Sequence, residues 1–402
     1  MTHKLVVLLA LIWLPCLVAG DWPGWRGPER NGISPETGLN WTWGPEGPKV
    51  LWRAAVGTGF SAFAAAGGRV YTLGNQDNVD TVYCLDGETG REVWRHAYPC
   101  PLDPLSYEGG PSATPAVAGG RVYTLSKSGH ASCLDAATGE VIWTKTFPAP
   151  PATRADYRVW WGYAGSPLVL ADRVILAAGT AGLALDKTSG ETLWESPPGR
   201  PGYSSPVPFQ QGERPAFALV GGHEVLAADQ ATGEVLWRLP WRTTWDQNAP
   251  DVLISGDRLL VSTGHGVGCA LFDLSTGQPT EVWRNRNMRN EMGSSVLWQG
   301  KVYGYDFRQL RCLDWQTGEV VWTAPESRLG TVILADGKVL GLEETGRLVV
   351  AEATPEACRI VAQTQVLDGR CWSAPALADG RLYVRNAAGE AVCLDLRHPP
   401  AP

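Results

Sequence analysis

Along most of this chain, short runs of alternating apolar and polar residues stop at Gly, Asp or Pro, the pattern of half-buried β-strands. Seven such runs open alike: Arg69-Val70-Tyr71, Arg121-Val122-Tyr123, Arg173-Val174-Ile175, Arg258-Leu259-Leu260, Lys301-Val302-Tyr303, Lys338-Val339-Leu340 and Arg381-Leu382-Tyr383. Each follows a Gly or Asp turn, and a further strand precedes it, usually entered by Ser-Pro or Ala-Pro. Proline is tolerated there because the first residue of a strand need not donate to the ladder. Apolar spacing of helical period is confined to the first twenty residues.

Between these runs a second signal repeats. Asp86, Asp135, Asp186, Asp229, Asp273 and Asp314 are each followed four residues later by Gly, at 90, 139, 190, 233, 277 and 318. A Trp stands eight residues after the Asp in five of the six copies; in the fifth, an insertion that includes Pro279 delays it to Trp283. An Asp side chain can bond the backbone amides just ahead of it and start a turn. The glycine supplies the positive φ that closes it, so all six glycines are expected there. Segments such as Glu234-Val235-Leu236-Trp237 then form an outer strand whose Trp packs on the neighbouring unit.

A period of 40 to 50 residues with this signature predicts propeller blades. Two more copies are degraded. One has Glu352 for the Asp, Pro355-Glu356 for Thr-Gly and Ile360 for the Trp; the other begins at Cys393 and has no Trp after it. The missing outer strand has a match near the start, where Lys49-Val50-Leu51-Trp52 aligns with Glu234 to Trp237. The expectation is an all-β, eight-bladed β-propeller whose N-terminal strand closes the last blade, pairing Val50–Trp52 with the strand that holds Cys393. Closure removes the edges that an open array would leave. The chain divides into a signal peptide (1–20), an irregular lead-in rich in Trp, Pro and Gly (21–47) and the propeller (48–398).

The first segment has Lys4, an apolar stretch from Leu5 to Val18 and the small residues Val18-Ala19-Gly20, the layout of an export signal. A retained anchor is the alternative. Lipid attachment at Cys16 fits less well, because Trp13-Leu14-Pro15 lacks the small residue before it. The mature chain is therefore placed in the periplasm or outside the cell, with no membrane span after signal removal. A net charge of −7, without a long basic run, argues against nucleic acid. Cys84, Cys133, Cys312 and Cys393 share one repeat position, so they sit on different blades and are expected to be small buried strand residues rather than disulfide partners. Cys358 and Cys371 are the pair best suited to a bond.

The Asp-x-x-Thr-Gly-Glu-x-x-Trp repeat resembles the tryptophan-docking motif of pyrroloquinoline-quinone-type propellers, over residues 48–396. That superfamily spans quinoprotein alcohol dehydrogenases and the outer-membrane assembly lipoprotein of the barrel-assembly machine. The Trp22-to-Ser34 opening, WPGWRGPERNGIS, is also similar to the start of many exported bacterial proteins with this repeat. The resemblance implies the fold; function has to be argued from a site. The dehydrogenases stack their quinone on a ring of two adjacent bonded cysteines and hold Ca²⁺ with carboxylates and amides. This chain has no Cys-Cys pair, and its repeat Asp residues are occupied as turn formers. No cofactor or metal is expected.

Other chemistry is equally faint. No Walker loop, His-Glu-x-x-His or Gly-x-Ser-x-Gly motif occurs. The histidines at 96, 130, 223, 265 and 398 are scattered singly, and His265, between two glycines, suits a turn better than a ligand. Arg286, Arg289 and Glu291 suit a solvated loop. The best candidate is the channel mouth, where Phe60, Trp160, Trp161, Tyr163, Tyr203, Trp245 and Trp372 recur before the inner strands, with Glu108, Asn248 and Arg370 in comparable loops. Inter-blade packing is the alternative role for each ring. The leading expectation is a non-catalytic envelope propeller that binds a protein, glycan or small molecule. A quinone-dependent oxidoreductase, or a subunit of an envelope assembly complex, is the alternative.

Overall fold

A computed structural model describes residues 20–44, 46–148, 161–199, 201–244 and 246–398. The signal segment, Trp160 and Trp245 lie outside these. Thirty-two strands form eight four-stranded antiparallel sheets. Blade 1 spans Ala64–Pro99, blade 2 Ala116–Thr146, blade 3 Leu168–Glu195 and blade 4 Val207–Pro240. Blade 5 spans Leu253–Asn285, blade 6 Val296–Thr323 and blade 7 Gly330–Gln365. Blade 8 takes three strands from Ala376–Asp395 and its outer strand from Lys49–Ala55. Trp52 lies opposite Cys393 and Val50 opposite Leu394, the pairing that the split repeat predicts. The fold is an eight-bladed all-β propeller closed by its N-terminal strand.

The repeat explains how each blade is built. In blade 1 the Asp86 carboxylate accepts from the Thr89 amide at 2.8 Å and from the Thr89 hydroxyl at 2.7 Å. Gly90 then turns the chain at φ 70°, and the other five motif glycines also have positive φ, between 70° and 84°. The returning strand sets Trp94 opposite Cys84, which faces Tyr71 across the next ladder. The same Tyr-Cys-Trp row recurs at Tyr123, Cys133 and Trp143 and at Tyr303, Cys312 and Trp322. All four motif cysteines are fully buried, and burial pushes the thiols of Cys84 and Cys133 up to about 11. Such thiols are inert packing groups.

Each motif Trp also joins its blade to the next. The indole N–H groups of Trp52, Trp94, Trp143 and Trp194 donate to the carbonyls of Gly87, Ala136, Lys187 and Gln230 at 3.0–3.2 Å. Their rings lie against the turn glycine beyond, so a Cβ on Gly90, Gly139, Gly190 or Gly233 would come within 2.5–2.7 Å of a ring atom. The seam between blades 4 and 5 differs. Trp237 donates to the Gln211 side-chain oxygen at 2.9 Å, and the Gln211 amide carries the link to the Leu274 carbonyl at 3.0 Å. The insertion in blade 5 moves its turn away, and a Cβ on Gly277 would meet nothing within 4 Å.

These two environments separate conformation from packing. Gly277→Ala should cost only the positive-φ penalty, about 1 kcal/mol. Gly233→Ala adds a clash with the Trp194 ring, which brings an overpacking cost of about 1–3 kcal/mol more. Denaturant midpoints of the two variants measure the difference; equal losses would mean that Trp194 does not seat on Gly233.

The expected Cys358–Cys371 bond is not formed: every cysteine among the described residues is free. Cys371 is buried in the core shared by blades 7, 8 and 1, whereas Cys358 packs against the separate blade 6–7 core. Their spacing in sequence says nothing about which side of blade 7 each one faces. No helix of the described residues is long and apolar enough to cross a membrane.

Candidate functional site

The lead-in closes one end of the central channel. Trp22 pairs with Ala65 of blade 1, the Pro23 carbonyl accepts from Val117 of blade 2, and Ser34 donates to Leu334 of blade 7. Two of its arginines reach further. Arg30 donates to the Pro167 carbonyl before blade 3 at 2.9 Å, and Arg26 to the Ser295 carbonyl before blade 6 at 2.7 Å. Both guanidinium groups are buried, which lowers them to about 10, and Asp251 is the opposite charge that both feel.

Asp251 belongs to a relay around the channel. Just before each inner strand, a backbone N–H donates to a side-chain oxygen of the following blade: Ala62 to Thr114, Thr114 to Ser166, Ser166 to Ser205, Ser205 to Asp251 and Asp251 to Ser294, at 2.7–3.1 Å. Six neighbouring blades are thereby linked through five oxygen-bearing residues, and one of these is a carboxylate. Its second oxygen takes the indole N–H of Trp25 at 2.5 Å, so the lead-in is pinned to the relay. Burial raises the Asp251 carboxyl, while Arg26, the Ser205 amide and Trp25 pull it back down.

Above this floor, at the end where the loops enter the inner strands, lies a cleft of about 130 Å³ that opens to solvent. Of the residues expected at the mouth, Phe60, Trp161, Tyr203 and Trp372 line it. Phe60 and Trp372 stack at 5.4 Å, and Tyr107 stands edge-on to both. Trp161 stacks on Tyr107 at 5.2 Å and is anchored by its indole N–H to the Leu105 carbonyl at 2.9 Å.

Other expected residues fall elsewhere. Tyr163 turns into the core between blades 2 and 3, edge-on to Phe147, with its hydroxyl donating to Pro148. Arg370 sits behind the wall, its guanidinium 4.5 Å from the Trp372 ring centre and paired with Glu108. Asn248 is buried, its amide donating to the Gly221 carbonyl at 2.7 Å. Arg289 leaves the loop to pair with buried Asp306 at 2.7 Å.

Sequence reasoning missed Trp25 and Tyr107, and it set His265 and Glu291 aside. Those last two line the side of the cleft opposite the aromatic wall, with Gln247. Burial lowers the His265 imidazole and raises the Glu291 carboxyl, the latter helped by nearby Glu344.

The family model described as outer membrane protein assembly factor BamB matches residues 44–109 and 101–324. The chain belongs to this family of PQQ-like propellers. No curated protein matches it in sequence. Among solved structures, BamB from Moraxella catarrhalis superimposes with a TM-score of 0.66 at 15% identity, covering 87% of this chain and 99% of that one. Quinohemoprotein alcohol dehydrogenase from Comamonas testosteroni gives 0.66 at 14% identity, over 95% and 82% of the two chains. A europium-containing methanol dehydrogenase gives 0.64 at 14%, over 91% and 89%. At this identity the likeness shows the fold alone.

The quinone and Ca²⁺ that the resemblance to quinoprotein dehydrogenases implies would need bonded adjacent cysteines and a cluster of carboxylates and amides. No two cysteines are adjacent. Among the described residues, no group of three or more His, Cys, Asp or Glu side chains is placed to hold a metal ion. Asp251, the carboxylate under the cleft, lies in the field of two buried guanidinium groups and has both oxygens bonded, a setting that opposes a divalent cation. The residues present do not fit that pair of groups.

Proposed function

We propose that this protein is a non-catalytic binding propeller of the cell envelope that holds a small ligand, or the end of a chain, at its channel mouth. The export-signal pattern of the first twenty residues supports the location. The observation that carries the binding role is the cleft itself. It has a half-buried aromatic wall facing Gln247, His265 and Glu291, whose side chains have no hydrogen bond or ion pair among the described residues. Concave apolar linings with a few unspent polar groups are what small ligands occupy.

A panel of quinones, saccharides and organic cations, screened by thermal denaturation, tests this reading. At least one class should raise the melting temperature of the natural protein and leave a Trp161→Ala variant unmoved. A panel without any such hit would remove the binding role. The fold shared with two alcohol dehydrogenases favours a second reading, a quinone-dependent oxidoreductase. Incubation with pyrroloquinoline quinone and Ca²⁺ should give no dye-linked turnover; turnover would establish that reading instead. The family's assembly-factor description motivates a third, which co-purification with outer-membrane assembly proteins from solubilised envelope would support.

A further inference from the structure

We infer that the cleft takes a neutral, hydroxylated ring, that is, a sugar residue of a glycan. This rests on the binding reading above and names its ligand class. The cleft is two-sided. Blades 8, 1, 2 and 3 contribute the wall of Trp372, Phe60, Tyr107 and Trp161, while the loops around blade 5 contribute Gln247, His265 and Glu291. A pyranose is built to the same plan, with an apolar face of C–H groups and an edge of hydroxyls that donate and accept.

The unspent hydrogen-bonding groups are of both kinds. In the floor, the Ser166 and Ser205 oxygens each accept a relay amide at 2.9 Å and keep their own protons to give. Glu291 offers acceptors, and Gln247 and His265 offer both.

Charge removes two rival ligand classes. Among the described residues, no Lys or Arg lines the cleft and Glu291 is its one acidic side chain, so these residues offer a polycarboxylate no partner and a like charge. An organic cation would find the Trp372 ring already faced by the Arg370 guanidinium, 4.5 Å from its centre. The wall itself needs no reordering, because Phe60, Tyr107, Trp161 and Trp372 are held by stacked and edge-on contacts at 5.2–5.5 Å.

The test is calorimetric titration of the full chain with glucose, galactose, N-acetylglucosamine and β-linked oligomers of each, beside glucuronate, choline and pyrroloquinoline quinone with Ca²⁺. At least one neutral saccharide should bind. Trp161→Ala and Gln247→Ala should each weaken it tenfold or more, and Glu291→Gln, which keeps the hydrogen-bonding shape without the charge, less than threefold. Melting curves confirm that each variant is folded; if Trp161→Ala is not, the Gln247→Ala result decides. Choline or quinone binding with no saccharide binding would overturn the sugar assignment while leaving the cleft as a binding site. Saccharide binding unchanged in both alanine variants would place the sugar elsewhere and also overturn it. Silence from every probe would sink the sugar and the binding role together.

Discussion

Deleting residues 21–55 is expected to convert a soluble protein into one that aggregates on expression. The deletion takes away the outer strand of blade 8 and exposes the ladder edge of Glu390–Asp395. Unpaired strand edges are templates for intermolecular pairing. It also removes Trp52, a buried ring whose indole bonds the Gly87 carbonyl and whose face covers Gly90. Truncating that ring alone, Trp52→Ala, should cost about 3–5 kcal/mol. Deleting 21–44 instead keeps the strand and separates closure from loss of the channel floor. Light scattering and solubility of the three proteins give the comparison. If the 21–55 deletion stays soluble with an unchanged melting temperature, the ring is not held by its N-terminal strand.

Replacing Asp251 by alanine should be the most damaging single change in the channel. Arg26 is buried and Arg30 half-buried, and Asp251 is the acid whose charge both feel. Its loss removes the opposite charge that both guanidinium groups feel, and each buried donor left without an acceptor costs about 1–3 kcal/mol. The Ser205 amide and the Trp25 indole lose their acceptor in the same step. Asp251→Asn keeps an oxygen for one of those donors and should lose less. Denaturant unfolding of the two variants ranks them, with near-ultraviolet circular dichroism reporting on Trp25. A loss in Asp251→Ala below about 1 kcal/mol, the worth of one ordinary hydrogen bond, would mean that the arginines draw no support from this acid.

The architecture was legible because it is written locally. An Asp, a Gly four residues on and a Trp eight residues on lie within one turn and one strand, so a single chain carries the whole signal for each blade. The split blade was legible for the same reason, as Trp52 stands in a fragment of the same motif. The site is different. Phe60, Trp161, Tyr203 and Trp372 could be picked out because they recur just before inner strands. Trp25 and Tyr107 belong to no repeat and reach the cleft only through tertiary contacts. Tyr163 follows Trp161 by two residues yet leaves for the inter-blade core, since the loop there is not a strand whose alternate positions share a face. Asp251 did leave a trace. It stands where Thr114, Ser166, Ser205 and Ser294 stand in other blades, and an acid at a small hydroxyl position is a mark of something buried beside it.

The pairing of Lys49–Ala55 with Glu390–Asp395 also sets an order of events. During synthesis, the strand that completes the wheel emerges before any blade, and its partner emerges after all the others. For that whole interval Trp52 has no Gly90 turn to cover and no strand beside it, while each later blade can fold on the one before. The final step joins the two most distant parts of the propeller, the kind of contact whose loop-closure cost slows folding. Late docking of one short strand, rather than assembly of the blades, is then expected to govern how long the newly made chain stays vulnerable to proteases.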